Sequence, residues 1–183
     1  MKSPLYASPW IYEFILNIIH GKERNKRFDF IAQQVRGNSV VDLACGSAKL
    51  ASHLKNQDYR GYDLNKKFIS DGKKRGLNVI LKNVLDKDIP KADTVVIIDA
   101  LHHMPSKKYD LMGQANRIAK KRVIAVEPYD TGGFLERFNH VLDADGINDH
   151  EDWLSKDELR EFYKEFNGKI IEENGYMYLI LDK

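Results

Sequence analysis

The chain has 183 residues, 43% of them hydrophobic, and a formal net charge of +2. That length supports one substantial core and not two, so the sequence reads as a single domain over 1–183. The basic clusters Lys22 to Arg27, Lys73 to Arg75 and Lys120 to Arg122 are dispersed among acids, which excludes a concentrated nucleic-acid surface, and a lone cysteine, Cys45, excludes a disulfide framework and fits a reducing, cytoplasmic compartment.

The first predicted element is amphipathic. Between Leu5 and His20 the residues Ile11, Phe14, Ile15, Ile18 and Ile19 recur at helical spacing, and Glu13 and Asn17 interrupt what would otherwise be a signal-peptide core. Stable membrane insertion is not expected. Tyr6, Trp10 and Tyr12 add aromatic bulk suited to packing on the fold or to shaping a substrate pocket. A second helix is predicted over 23–36, closed by Gly37.

From Ser39 to Leu54 the chain reads SVVDLACGSAKLASHL. The run Val40-Val41-Asp42-Leu43 suits a strand buried on both faces, and Ala44, Gly46, Ser47 and Ala48 allow close approach of the backbone to a ligand before a helix over 48–56. A second acid, Asp63, ends the next strand candidate, Arg60-Gly61-Tyr62-Asp63-Leu64, where a carboxylate can accept from both hydroxyls of a ribose. Asp42 and Asp63 together indicate a nucleoside-containing cofactor. A dinucleotide is disfavoured: the G-x-G-x-x-G pattern laid on Ala44, Gly46 and Lys49 fails at its last position, and Asp42 would repel a pyrophosphate and suits a cation.

The remaining elements alternate. A helix is predicted over 65–75, with Asn65 as its N-cap and Gly76 as its stop, then strands at 77–81, 94–98 and 122–126 around a helix over 107–119. Ser155 and Glu158 form a capping box for a helix over 155–167, whose apolar face is Leu159, Phe162, Tyr163 and Phe166. After it, Lys169 to Glu173 and Tyr176 to Leu181 flank Asn174-Gly175, the signature of a tight hairpin turn.

The segment DLACGSAKL resembles the first motif of class I S-adenosylmethionine-dependent methyltransferases, with Gly46 retained and alanine at two positions usually held by glycine, Ala44 and Ala48. Later segments follow in the order expected of that family, including Leu101-His102-His103-Met104-Pro105, which is similar to what many small-molecule methyltransferases carry after strand four. The resemblance implies an α/β, Rossmann-like doubly wound sheet of seven strands, mostly parallel with a C-terminal antiparallel hairpin. It implies S-adenosylmethionine as cofactor, held by Asp42, Ala44, Gly46, Asp63, Leu64, Asn83, Val84 and Asp99, with Asn83 on the adenine amino group.

The expected reaction is in-line methyl transfer to a small-molecule acceptor, with an acceptor base at the binding edge. His102, His103, Asp99 and Tyr129 are the candidates; His103 is the chosen base, with Tyr129 beside it. Asp99, His102, His103 and Glu127 are metal ligands in type, yet nothing in their spacing fixes a coordination geometry, and no metal is expected. The acidic run Asp143 to Asp152 lacks the spacing of a calcium loop. Base methylation is disfavoured because Asp99-Ala100-Leu101-His102 stands where an Asn/Asp-Pro-Pro-Tyr-like element would be. Residues 1–37 are read as an N-terminal helical cover, 38–128 as the cofactor-binding core, 129–154 as an insert over the substrate and 155–183 as the terminal helix and hairpin. Two alternatives remain: a protein methyltransferase, and a non-catalytic nucleoside-binding module on the same fold. The sequence leaves the oligomeric state undetermined.

Overall fold

The structure, a computed structural model, describes residues 25–129 and 154–183. The helix expected between Leu5 and His20, and the covering insert except for its first and last residues, lie outside the described residues.

Among the described residues, seven strands form one sheet: β1 (Ser39–Leu43), β2 (Asp58–Asp63), β3 (Val79–Leu81), β4 (Ala92–Ile98), β5 (Ala119–Pro128), β6 (Lys169–Glu173) and β7 (Tyr176–Asp182). Their order is β3-β2-β1-β4-β5-β7-β6. The first five run parallel, β7 enters antiparallel to β5, and β6 pairs antiparallel with β7. This is the expected sheet. The chain winds outward from β1 to β3 and then returns to build β4 and β5 on the other side of β1. The carboxyl ends of β1 and β4 therefore flank the topological switch point, where open α/β sheets bind ligands.

The described α-helices are α1 (25–34), α2 (Lys66–Lys74), α3 (Lys108–Ile118) and α4 (Lys156–Lys164). None of the described helices is long and apolar enough to cross a membrane. Asn65 caps α2 by accepting from the N–H groups of Lys67 and Phe68, and the Ser155–Glu158 capping box starts α4 as its sequence pattern predicts. The helix expected over 48–56 is instead a short 3₁₀ helix, Lys49–His53. Ala48 enters it in the left-handed region without a side-chain cap, and Leu54 is already extended, so only one tight stretch is left between loop and strand.

Strand alternation divides the core into two layers. Val41 and Leu43, Val95 and Ile97, Val123 and Ala125, and Met177 and Leu179 pack with Leu111, Met112 and Ala115 of α3 and with Leu159, Phe162 and Tyr163 of α4. Val40, Val96, Ile124, Val126 and Tyr178 face the other way, onto Phe28 and Ile31 of α1, Leu50, and Ile69 of α2. The described part of the expected N-terminal cover, α1, thus packs on the sheet face. At the hairpin, Asn174 (φ 51°) and Gly175 (φ 80°) adopt the two positive φ angles that the tight turn requires.

Candidate functional site

The loop after β1 is built from left-handed residues. Ala44, Gly46 and Ala48 have φ of 60°, 51° and 56°, a backbone path that glycine adopts freely and alanine adopts at a cost of about 1–2 kcal/mol. The two alanines that replace motif glycines therefore keep the glycine conformation. A Cβ on Gly46 would meet nothing within 4 Å among the described residues. Behind the loop the packing is tight: a Cβ on Gly61 would stand 2.6 Å from Cys45 Sγ and 2.9 Å from Tyr59 Oη. Burial pushes the Cys45 thiol well above its ordinary range, as befits a small packed side chain and not a reactive thiolate.

Three carboxylates converge on this edge. Asp63, at the end of β2, ties the loop in place by accepting from Gly46 N–H through Oδ2 (2.8 Å) and from Asn65 N–H through Oδ1 (2.7 Å). Burial raises its carboxyl, against the opposing N–H groups of Asn65 and Gly46 and a smaller pull from His103. Asp42, 2% exposed, accepts from the Tyr59 hydroxyl through Oδ2 (2.8 Å), while its buried Oδ1 has no hydrogen-bond partner among the described residues. Burial is the main cause that pushes the Asp42 carboxyl up to about 7; the Tyr59 hydrogen bond opposes it, and the charges of Asp63 and Asp99 add to it. Asp99, with φ 51°, is gripped on both oxygens by Arg27 of α1 at 2.8 Å each. The Arg27 guanidinium lies 4.1 Å from the centroid of the Tyr176 ring. Burial works against its charge, and Asp99 restores that charge and holds Arg27 firmly protonated.

At the tips of β2 and β3, Leu64 is 65% exposed, a large apolar side chain standing open beside Asp63. Asn83 is exposed and spends one interaction of its side-chain oxygen on the Leu85 N–H (3.0 Å), closing a turn, while Val84 is buried in the core. These residues lie where the sequence places them. Asn83 is a turn former as well as a candidate adenine contact, and Asp99 already has a cationic partner.

The two histidines after β4 part company. His103 is half-buried. His102 is buried, and its Nδ1 lies 2.6 Å from Oε2 of Glu127, the last acid of β5. The other oxygen, Oε1, accepts from the N–H groups of Ala100 and Leu101 at 2.7 Å each. Leu101, Pro105, Pro128, Leu154 and Leu159 join His102 and Glu127 around a pocket at the ends of β4 and β5. Tyr129, 9% exposed, stands next along the chain with Lys156 Nζ 5.4 Å over its ring. Sequence reasoning missed the partners: Tyr59 and Arg27 give no signal in an ordinary strand and a basic run. An acid ending the apolar run of β5 was a visible sign for Glu127.

Comparison with solved structures bears on the fold. A SAM-dependent methyltransferase from Archaeoglobus fulgidus aligns with a TM-score of 0.69 and 15% identity, over 94% of this chain and 99% of its own. Magnesium protoporphyrin IX methyltransferase (ChlM) from Synechocystis PCC 6803 with bound SAH aligns at 0.63 and 14% identity, covering 92% and 85%. The protein of the DhpI-SAM-HEP complex aligns at 0.62 and 18%, covering 94% and 91%. The chain therefore has the fold of the class I S-adenosylmethionine-dependent methyltransferases. No match was found among curated protein sequences. The sequence matches the family described as methionine biosynthesis protein MetW over residues 25–143, and the chain belongs to that family.

Proposed function

We propose that this protein is an S-adenosylmethionine-dependent methyltransferase acting on a small-molecule acceptor. The observation that carries this reading is the buried Oδ1 of Asp42 at a strand tip, which has no hydrogen-bond partner among the described residues, beside a loop where a Cβ on Gly46 would meet none of those residues within 4 Å. A buried carboxylate oxygen without a donor is unfavourable, and a cationic N–H donor from a ligand relieves it. An acid-rimmed cradle of this kind suits a cofactor that carries an ammonium and a sulfonium, and it does not suit a pyrophosphate.

The residues fit that group. Asp63 retains lone pairs for the ribose hydroxyls after accepting two backbone N–H groups, Leu64 and the Val84 region offer an apolar seat for the adenine, and Asn83 stands beside it. Ala44 and Gly46 supply backbone at close range, and Asp99 braces the loop after β4 through Arg27. When bound, the cofactor supplies a methyl group activated by positive sulfur. The chain's own task is to hold an acceptor in line with that methyl, about 3–3.5 Å away, and to exclude water.

The test is incubation with methyl-labelled S-adenosylmethionine and a deproteinised cell extract, read by mass spectrometry. A labelled small-molecule product is expected. Tight cofactor binding without any labelled product would favour the non-catalytic module, and label found only on added protein would favour a protein methyltransferase.

A further inference from the structure

We propose that Tyr59 is a positioning residue of the cofactor cradle: its hydroxyl holds Asp42 by Oδ2 and so keeps Oδ1 for the cationic group of the ligand. This rests on the reading that the cradle takes S-adenosylmethionine, and it adds a residue from outside the loop motif. The register shows how a tyrosine reaches the acid. Across the parallel pair β1–β2, Asp42 stands opposite Gly61, and Tyr59 stands opposite Val40. Alternation puts all four on one face of the sheet. The Tyr59 side chain therefore advances about 7 Å along the strands, the length of two residues, to meet Asp42. Glycine at 61 leaves that path free: a Cβ there would stand 2.9 Å from Tyr59 Oη and 2.6 Å from Cys45 Sγ. The hydroxyl arrives 2.8 Å from Asp42 Oδ2, and both residues are buried.

The chemistry allows one direction only. Burial, and next the charge of Asp42, push the Tyr59 hydroxyl well above its ordinary range, so it keeps its proton and donates. That single proton is spent on Oδ2, and Oδ1 has no partner among the described residues. The titratable and charged groups around Asp42 are Tyr59 and Asp63 of β2, Cys45 of the adjoining loop and Asp99 at the end of β4, itself paired with Arg27 of α1. Burial, Asp63 and Asp99 oppose a negative charge on Asp42, and the Tyr59 hydrogen bond favours it. Without that bond Asp42 stays protonated through neutrality, and a protonated carboxyl does not attract a cation. Tyr59 thus selects the oxygen that faces the ligand and keeps the acid ionisable near neutral pH.

The experiment is calorimetry with S-adenosylhomocysteine, which carries the same ammonium, on wild type, Tyr59→Phe, Asp42→Asn and the double variant, from about pH 5.5 to 9. Wild-type affinity should fall on the acid side of about 7. In Tyr59→Phe the midpoint of that profile should move up by about one pH unit, with affinity at pH 7 down about fivefold or more and the gap narrowing toward pH 9. In the Asp42→Asn background, Tyr59→Phe should change affinity by less than about twofold, because the residue it acts through is gone. Wild type supplies a readout that needs no variant: the Tyr59 ¹³Cζ resonance should shift as Asp42 titrates, since a donor senses the charge of its acceptor. An unshifted midpoint in folded Tyr59→Phe, an equal loss in both backgrounds, or a Tyr59 resonance indifferent to the titration of Asp42 overturns the role of Tyr59 and leaves the cofactor reading standing. A wild type that binds no S-adenosylhomocysteine at any pH overturns the cofactor reading and this proposal with it.

Discussion

Asp42 is the residue on which the pH behaviour of the site turns. Its folded-state value of about 7 lies above the ordinary 3.8, so the stability it confers is fully present below about pH 4 and is lost as pH rises through about 7. The unliganded protein should lose on the order of 1.4 kcal/mol per pH unit from this group within that window, and Asp42→Asn should flatten that part of the profile in chemical denaturation. A cationic ligand beside Asp42 favours the ionised form. Cofactor binding should therefore release a proton near neutrality and weaken as pH falls below 7, which calorimetry in buffers of different ionisation enthalpy measures directly. Ala44 supports a prediction of opposite sign. Its φ of 60° is strained for alanine, so Ala44→Gly should raise stability by about 0.5–1 kcal/mol in urea titrations.

At the level of elements, the strut from α1 to the end of β4 is the feature that local sequence patterns do not announce. Arg27 joins α1 to Asp99 of the β4 loop and lies against Tyr176 of the terminal hairpin, so a single side chain links three parts of the chain distant in sequence. Arg27→Met should cost about 2–4 kcal/mol, read from the urea midpoint, because it leaves Asp99 without its cation close to two other acids. Asp99→Asn in the Arg27→Met background should recover part of that loss. Most of the elements themselves were legible: the β-branched runs gave the strands, the Ser155–Glu158 box gave the start of α4, and Asn174-Gly175 gave the hairpin. The helix expected at 48–56 was not. Its apolar spacing is real, with Leu50 buried, but the left-handed entry at Ala48 and the extended Leu54 confine it to one 3₁₀ stretch, and backbone strain has no mark in a hydrophobic pattern.

At the scale of the whole molecule, the order of the strands places the acids at one edge, and this is why the cradle could be read from Asp42, Gly46 and Asp63 while its supports could not. Motif residues sit at strand tips, close in sequence to the turns that reveal them. Tyr59, Arg27 and Glu127 act across strands or from another helix, and only the folded register brings them to their partners. The central claim is that this edge holds S-adenosylmethionine. Isothermal calorimetry of wild type and Asp63→Ala with S-adenosylhomocysteine, and of wild type with NAD⁺, tests it most directly. The account predicts micromolar binding of S-adenosylhomocysteine, about −8 kcal/mol, a loss of about 1.5–3 kcal/mol in Asp63→Ala, and far weaker binding of NAD⁺. Binding of NAD⁺ tighter than S-adenosylhomocysteine, or affinity unchanged in Asp63→Ala, would contradict it.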